Sequence, residues 1–419
     1  MSAVAFLIFA LAALAAIPIA HALVLAAIGG ILYSDRVPLV LVVEQMVSQV
    51  QSFPLIAIPF FILTGALMMG GRLGQMLIDL MTTLIGRFHG GPAQVGVLSS
   101  TIFGGVSGSA VADASAIGSM LIPWQKKLGY PGSFAAATLA SAATIDILIP
   151  PSIPFILFAL ASGASIGSLF TAGILPGLML CVGFMSVCYF VGRSKNYPRE
   201  TRPISVSVVL REIGYASPAL ALPVLIVIFL RFGIATPTEV SVISTLYASV
   251  VSAVLYRDLT LKRVKAALLE AGIATGVVLL VIMASSAMGW IVTFEQLPAA
   301  FAEFAKNTLR EPWLIILAMN AIMLVAGMFI DLPAAVLLLT PIFVPLARMA
   351  GMDPVQLGVM MVVNLAIGLY TPPVGTTLFI TSSIAKVKIG ETVRAMVPFY
   401  LVALLVLALM SYVPMLTIR

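Results

Sequence analysis

Charged side chains are scarce in this sequence, because aspartate, glutamate, lysine and arginine make up only 9% of its 419 residues. Soluble globular domains carry about 25% charged residues, so this composition excludes a soluble globular protein. Hydrophobic residues instead reach 61%, and the mean hydropathy is +1.15. Apolar stretches of the roughly 20 residues that cross a bilayer recur along the whole length. The composition therefore predicts an all-α polytopic membrane protein.

Other absences narrow the class further. The alternation of apolar and polar residues that is typical of outer-membrane barrels is missing. The longest polar stretch, Arg193 to Glu212, is too short to form a core, so no soluble domain is predicted. The two cysteines, Cys181 and Cys188, lie in one apolar run, which favours packing over a disulfide. The net charge of +6 arises largely in short loops and predicts no binding of nucleic acid.

The distribution of basic residues predicts the topology. Clusters at Gly192 to Pro203 and Tyr256 to Lys265 are expected in the cytoplasm by the positive-inside rule. Two apolar runs, Ile213 to Leu230 and Glu239 to Leu255, lie between them and return the chain to the same side. The first apolar segment, Ala3 to Ala20, is predicted to be one helix. No basic residue precedes it, which favours an outside start.

Two Pro-Pro pairs interrupt apolar sequence, in LIPPSIP (Leu148 to Pro154) and LYTPPVGTT (Leu369 to Thr377). Proline removes a backbone donor and clashes with the preceding turn, so each pair should break a helix. Broken backbone at membrane depth is tolerated only where it is buried in protein or lines a cavity. Loops at the membrane surface are the alternative, but the apolar sequence on both sides favours two broken helices.

An internal repeat with a constant spacing of 222 positions relates the two halves of the chain. The spacing pairs Pro150-Pro151 with Pro372-Pro373, Gly105 with Gly327, Ala112 with Ala334, Pro123 with Pro345, and Gly129 with Gly351. Repeated halves with glycine-rich interruptions and broken helices are typical of secondary transporters. The first copy contains the basic WQKKLG and the second the less basic LARMAG, which favours opposite orientations. We therefore predict two inverted repeats.

Each repeat begins with a predicted re-entrant helical hairpin. The first runs from Pro92 to Pro123 with the tip GGVSGSA, and the second from Pro312 to Pro345 with the tip GMFIDLP. The arms of the first, Ala93 to Phe103 and Ala110 to Ile122, are expected to be too short to cross the membrane. Hydroxyls, exposed carbonyls and a carboxylate are hard ligands, which favour Na⁺ over transition metals.

Four segments resemble the large membrane subunit of tripartite ATP-independent periplasmic (TRAP) transporters. They are SGSAVADASAIGSMLIP, ASAATIDILIPPSIPFILFA, GIATPTEVS and NLAIGLYTPPVGTTLF, and the resemblance covers essentially the whole chain. It implies a Na⁺-driven importer of organic acids, such as C4-dicarboxylates or sugar acids, in a bacterial or archaeal inner membrane. It also implies an elevator-like mechanism, with Na⁺ as coupling ion, no other cofactor and no enzymatic activity. The implied partners are a periplasmic binding protein and a small membrane subunit, expected as a separate chain because this one lacks a fused block.

The predicted organisation has five segments. They are N-terminal scaffold helices (1–91); a first transport repeat (92–170) with hairpin 92–123 and broken helix 132–165; scaffold and connecting helices (171–311) with cytoplasmic loops near 193–211 and 257–265; a second transport repeat (312–390) with hairpin 312–345 and broken helix 355–386; and a C-terminal helix (391–419).

The resemblance also implies site residues. The first Na⁺ site would use the tip Ser107, Gly108 and Ser109 with the break at Ile149, Pro150 and Ser152, and the second would use Gly327, Asp331, Thr371, Gly375 and Thr376. Substrate binding is expected at Ser109, Ser152, Thr376 and Thr377. Asp113 and Asp146 are candidates for coupling, although helix capping is an alternative for Asp113 and Asp331. The chain departs from the family pattern at Asp146, because Gly-Pro commonly follows SAATI there.

Three further expectations concern alternatives. Glu239 is predicted to form a capping box with Thr236 rather than to take part in transport. A stand-alone Na⁺/dicarboxylate symporter would share the paired hairpins and need neither partner. An intramembrane serine protease is a remote alternative, since Gly-x-Ser-Gly surrounds Ser107. That chemistry needs a base such as histidine beside the serine, whereas His89 is expected at the far end of the hairpin arm.

Overall fold

A computed structural model describes residues 1–15, 17–69, 72–200, 206–309 and 311–417. Across these residues the chain forms nineteen α-helices and no strand. The helices of the first half are α1 (Ser2–Leu14), α2 (Ile19–Ser34), α3 (Val40–Val50), α4 (Ala57–Met69), α5 (Arg72–Ile85), α6 (Gly91–Ser107), α7 (Ala110–Lys127), α8 (Gly132–Ala142), α9 (Ile153–Ser162) and α10 (Ile166–Ser194). Part of the first predicted cytoplasmic loop, 201–205, lies outside the described residues.

The second half contains the remaining nine of these helices. They are α11 (Val206–Arg231), α12 (Pro237–Val250), α13 (Leu261–Phe294), α14 (Leu297–Thr308), α15 (Pro312–Phe329), α16 (Leu332–Met349), α17 (Pro354–Gly368), α18 (Thr376–Ala385) and α19 (Ile389–Tyr412). A π-helical turn, Val251–Leu255, extends α12. The predicted capping box starts α12, because the Thr236 and Glu239 side chains each accept a hydrogen bond from the other residue's backbone N–H. That prediction is confirmed.

Seven helices within the described residues are long and apolar enough to cross a bilayer, and an eighth span arises if α3 and α4, bent by 64°, count together. The all-α polytopic class is thus confirmed. The expected single helix from Ala3 to Ala20 is wrong, because α1 ends at Leu14 and α2 begins after Pro18. Proline has no N–H to continue a helix, so it starts the new one instead.

The first hairpin consists of α6 and α7, which contact each other and are joined by a two-residue turn. Its arms have 17 and 18 residues, longer than the sequence indicated, because α6 begins at Gly91 and α7 continues through Pro123 to Lys127. At 1.5 Å per residue each arm measures about 26 Å. The predicted arm bounds are therefore wrong, although neither α6 nor α7 is among the seven described helices that could cross a bilayer. The second hairpin, α15 and α16, has two arms of 18 residues.

Each hairpin is followed by a helix that is interrupted at its Pro-Pro pair. In the first, α8 ends in a 3₁₀ turn, Ala143–Ile145, and the chain resumes helical structure at Ile153. In the second, α17 ends at Gly368 and α18 begins at Thr376. Both Pro-Pro peptide bonds are cis.

The packing partners of the broken helices follow the sequence repeat. The bounds of α7 recur 222 positions later as those of α16, and the start of α8 recurs as the start of α17, which ends four residues later than the repeat predicts. The half-helix α9 packs against α16 and α17, and its counterpart α18 packs against α7 and α8. Each half-helix therefore rests on the hairpin arm and broken helix of the other half.

Two helices pack differently from their predicted segments. The sequence placed residues 171–194 among the scaffold and 391–412 in a separate C-terminal helix. In the fold, α10 contacts α6 and α17, α19 contacts α8 and α17, and α10 and α19 contact each other. Both helices are therefore part of the body that contains the hairpins.

A separate hydrophobic cluster joins the N-terminal helices to α13. Buried residues of α1, α2 and α13 form most of it, together with Val42 of α3 and Ala334 and Leu338 of α16. The amino group of Met1 pairs with Glu295, 2.8 Å away, at the end of α13. The start of α1 and the end of α13 therefore lie on the same side of the molecule, and α16 contacts both bodies.

Candidate ion and substrate site

The tip of the first hairpin is seated on the first Pro-Pro break. Between α6 and α7, Gly108 has a φ of +62°, which glycine adopts with little strain. A Cβ at Gly108 would lie 2.4 Å from the Pro151 carbonyl oxygen, so only hydrogen fits between the tip and the break. Ser109 begins α7, and its hydroxyl accepts a bond of 3.4 Å from the Ala112 N–H. The structure thus brings Ser107, Gly108 and Ser109 next to the break.

Asp146 forms a second link between this tip and the broken helix. The Ser107 hydroxyl donates a hydrogen bond of 2.8 Å to Asp146 Oδ2. A Cβ at Gly104 would lie 2.7 Å from the Asp146 Cα, so Asp146 can pack against α6 only because residue 104 has no side chain. Sequence reasoning identified the aspartate but not its partner, because the contact joins residues that are distant along the chain.

The side chains of Ser152 and Ile149 already have contacts within the break and with α10. The Ser152 hydroxyl donates to the Ile147 carbonyl, 2.5 Å away, and accepts from the Phe155 N–H at 3.3 Å as the N-cap of α9. Its hydrogen is therefore used inside the break. The Ile149 side chain packs toward α10, where a Cβ at Gly177 would lie 2.7 Å from it. Backbone carbonyls are what Ile149 and Pro150 can offer an ion.

The second hairpin presents Asp331 at its tip. Asp331 occupies the N-cap position of α16, but its side chain makes no capping hydrogen bond. The capping alternative therefore lacks the bond that defines a side-chain cap. Because an N-cap residue lies at the positive end of the helix dipole, the dipole and the Leu332 N–H both stabilise the carboxylate, which has further lone pairs for an ion.

This second tip is seated on the second break in the same manner as the first. The Met328 carbonyl accepts a hydrogen bond of 3.3 Å from the Val374 N–H. A Cβ at Gly368 would lie 2.3 Å from the Gly327 carbonyl oxygen, so two glycines allow the backbones to touch. The structure thus places Gly327 beside the end of α17.

Hydroxyl groups around the second break have different roles. Thr371 donates to the Ile367 carbonyl, 2.6 Å away. Thr377 lies 3.1 Å from the Ala140 carbonyl oxygen of α8 and 3.0 Å from that of Leu369, and so connects the two broken helices. The Thr376 hydroxyl is buried without a hydrogen-bond partner. Of the two threonines predicted to bind substrate, Thr376 therefore has the free hydroxyl.

Four helix N-termini start at the predicted site residues. Ser109 begins α7, Ser152 begins α9, Asp331 begins α16 and Gly375, with a φ of +28°, begins α18. Helix N-termini carry partial positive charge and unpaired N–H groups, which attract anions. The carbonyl groups exposed at the two breaks attract cations. This arrangement can accommodate a carboxylate and a cation together.

A cavity of about 270 Å³ lies where α3 and α13 face α9 and α16. Gln45, Gln49 and Ser285 provide polar groups on one wall, while Leu160 and Leu337 are apolar groups on the other. The Ser285 hydroxyl is buried and has no hydrogen-bond partner. Sequence analysis did not find this cavity, since its walls come from segments that only the fold brings together.

The family model of the DctM component of tripartite ATP-independent periplasmic transporters matches residues 6–416. The chain belongs to this family. It is therefore a large permease subunit of a binding-protein-dependent transporter in the inner membrane, and the family works with a small membrane subunit and a periplasmic binding protein.

Relatives with assigned substrates agree with this membership. The permease is 36% identical over 402 residues to the 2,3-diketo-L-gulonate TRAP transporter large permease protein YiaN of Escherichia coli, covering 95% of this chain and 93% of YiaN. It is 38% identical over 364 residues to the C4-dicarboxylate TRAP transporter large permease protein DctM of Pseudomonas aeruginosa, covering 87% and 85% of the two chains. The crystal structure of the Alcanivorax borkumensis YdaH transporter shares the fold, with a TM-score of 0.60, 16% identity, and 85% and 84% coverage.

Family membership also decides between the alternatives. The permease is not an enzyme, so the remote protease alternative is wrong, and the geometry explains why. Ser107 donates to Asp146 rather than to a histidine, and His89 contacts Arg199 before the start of α6. At 1.5 Å per residue, the 17 residues of α6 separate the two by about 25 Å. A stand-alone symporter is likewise not what the family match indicates.

Proposed function

We propose that this permease subunit imports organic acids together with Na⁺ by an elevator mechanism. The observation that supports it best is the seating of each hairpin tip on a Pro-Pro break. At each such point the backbone of the tip approaches the backbone of the break, and the helices that start there have serine, aspartate or glycine at their N-caps. Na⁺ is a hard cation that prefers oxygen ligands.

The first proposed Na⁺ site uses Ser107, Gly108 and Ser109 with carbonyls of the Ile149–Ser152 segment. The close approach of Gly108 to the Pro151 carbonyl supports this pairing. The second uses Gly327, Asp331, Thr371, Gly375 and Thr376. The uncapped Asp331 carboxylate and the unpartnered Thr376 hydroxyl support it, because both have coordination capacity to spare.

The proposed substrates are small carboxylates such as C4-dicarboxylates or sugar acids. The names of both relatives above refer to acids of this kind. The proposed donors to the carboxylate are the Ser109 and Thr376 hydroxyls and the helix N-termini. Thr377 and Ser152 act indirectly, since their hydroxyls hold the breaks in shape.

The proposed elevator movement takes place where α16 meets α13. Buried residues of α1, α2 and α13 form a hydrophobic cluster of their own that α3 and α16 share, whereas the larger cluster contains the hairpins together with α4, α5, α11 and α12. The cavity of about 270 Å³ lies at the boundary between α13 and α16. In the proposed cycle, the hairpins, broken helices, α10 and α19 move as one body against this scaffold.

Na⁺ titrations of unfolding temperature test the first ion site with a matched pair of variants. Ser109 and Ser165 are both N-cap serines whose hydroxyls accept one backbone bond, at 3.4 and 3.3 Å. Replacing either with alanine should cost about 1 kcal/mol of capping energy. A Na⁺ concentration of 100 times Kd stabilises the fold by about 2.7 kcal/mol. We expect Ser109→Ala to weaken this Na⁺ response and Ser165→Ala to keep it.

Choline and K⁺ serve as reference cations in the same titration. Equal Na⁺ responses in the two variants contradict a role for Ser109 in ion binding. A wild-type protein that responds equally to Na⁺, K⁺ and choline contradicts Na⁺ coupling altogether.

A further inference from the structure

Two aspartates lie inside the first hairpin and its broken helix, away from the surface. Asp113 is in the first turn of α7, and Asp146 follows the 3₁₀ turn of the first break. Both side chains are fully buried, at 0% exposure. The two carboxylates are close enough to interact electrostatically. Burying even one carboxylate without a compensating charge is costly, and burying two neighbours is costlier.

Three of the four carboxylate oxygens of Asp113 and Asp146 have no side-chain hydrogen-bond partner. Asp146 Oδ2 accepts the Ser107 hydrogen bond, but Asp146 Oδ1 and both oxygens of Asp113 have no hydrogen-bond partner. The Ser100 hydroxyl is 0% exposed and faces Asp113, to which it can donate its one hydrogen. Buried polar groups in folded proteins almost always have partners, so the remaining carboxylate oxygens, which a single hydroxyl cannot satisfy, indicate a missing ligand.

Among the side chains that the structure describes, none of the basic ones on the surrounding helices neutralises the pair. The helices α4, α6, α8, α9 and α18 contain no charged residue, and α10 has only Arg193 near its far end. On α7 the lysines are Lys126 and Lys127, and Lys126 lies about 20 Å along the helix from Asp113 and binds the Ala385 carbonyl. On α11, Pro223 contacts Gly105. The charged residues of this helix, Arg211, Glu212 and Arg231, are each at least eight residues from Pro223 along the chain.

Backbone groups compensate for only part of the negative charge. The N–H groups of Gly108 and Ser109 interact with the Asp146 carboxylate, and the N-terminus of α7 adds its partial positive charge. Gly104 leaves space there, because a Cβ would lie 3.0 Å from Asp146 Oδ1. The helix N-terminus contributes about half an elementary positive charge, whereas two ionised carboxylates carry two negative charges. A bound cation is the simplest complement.

We propose that Asp113, Asp146 and the Ser100 hydroxyl bind a Na⁺ ion of their own, inside the hairpin and separate from the site at its tip. Carboxylate and hydroxyl oxygens are hard ligands that suit an alkali cation. Ser107 is a positioning residue, because its hydroxyl fixes one Asp146 oxygen and turns the other inward. The inference rests on the proposed Na⁺ coupling and adds one ion to it.

Equilibrium binding of radioactive Na⁺ to the purified protein tests this assignment. The count of bound ions and the affinity are measured for the wild type, Asp146→Asn and Asp113→Asn. Asp79→Asn is the control, because Asp79 is exposed on α5 and bonded to Gln75 at 2.9 Å. We expect each buried variant to bind one ion fewer than the wild type, and the control to bind the same number.

Asparagine keeps the shape of aspartate, and elution as a single species shows that each variant is folded. Each aspartate variant tests the proposed site independently, so if one variant does not fold, the other still provides the test. A full count of ions with unchanged affinity in both variants overturns this inference and leaves Na⁺ coupling in place. A wild-type protein that binds no Na⁺ overturns both. The Ser109→Ala variant should retain the ion held by the aspartates and lose the one at the tip.

Discussion

Replacing Gly108 with alanine is expected to abolish transport while the protein remains folded. The φ of +62° costs an alanine about 1–2 kcal/mol. The added Cβ would also lie 2.4 Å from the Pro151 carbonyl oxygen, so the tip must move off the break. Because the proposed ion site needs both surfaces, its affinity for Na⁺ should fall at least about tenfold, or about 1.4 kcal/mol. Uptake by reconstituted permease and Na⁺ titration of unfolding measure the two effects.

Gly163 provides the matched control for this variant. It also has a positive φ, +74°, but a Cβ there would meet nothing within 4 Å. Gly163→Ala should therefore cost a similar amount of stability and leave both uptake and Na⁺ affinity unchanged. If both variants lose transport equally, backbone strain explains the loss and the seating of the tip on Pro151 does not.

Cross-linking α13 to α16 is expected to stop uptake. Ala287 and Ala334 belong to one buried cluster at the boundary between the two bodies. Cysteines at both positions, in a background where Cys181 and Cys188 are alanine, put one thiol on each of these two contacting helices, and a bifunctional thiol reagent is used to join them. If α16 moves against α13 in each cycle, the linked protein should fall to the uptake of empty liposomes. A reducible link should restore uptake when it is cleaved.

A link within the scaffold is the control. Ala26 of α2 and Ala284 of α13 belong to the same cluster, are both 0% exposed and lie on helices that contact each other. A link between them should leave uptake unchanged, because neither helix moves in the proposed cycle. Full uptake after complete linking of α13 to α16 contradicts an elevator movement across this boundary.

Local chemistry explains what the sequence predicted well. Two consecutive prolines remove two backbone N–H groups and clash with the preceding turn, so both breaks are predictable from the sequence. The capping box at Thr236 and Glu239 depends on residues three positions apart, and it was predicted for the same reason. The spacing of 222 positions located both hairpins, since each copy retains its glycines and prolines.

Contacts between distant segments explain what was missed. The lengths of the hairpin arms depend on neighbours that stabilise α7 beyond Pro123, and sequence pattern alone placed the end too early. The contacts of α10 and α19 with α17 likewise join segments that are far apart in the sequence. The space that Gly104 leaves for Asp146 is likewise invisible in sequence, because nothing local distinguishes this glycine from its neighbours.

The most direct test of Na⁺-coupled import is uptake by the complete transporter in liposomes. This chain, its small membrane subunit and the binding protein are combined, and a panel of C4-dicarboxylates and sugar acids is offered with and without an inward Na⁺ gradient. We predict accumulation of at least one acid that needs the Na⁺ gradient and both partners. Accumulation that is equally fast in K⁺ without a Na⁺ gradient would contradict the account.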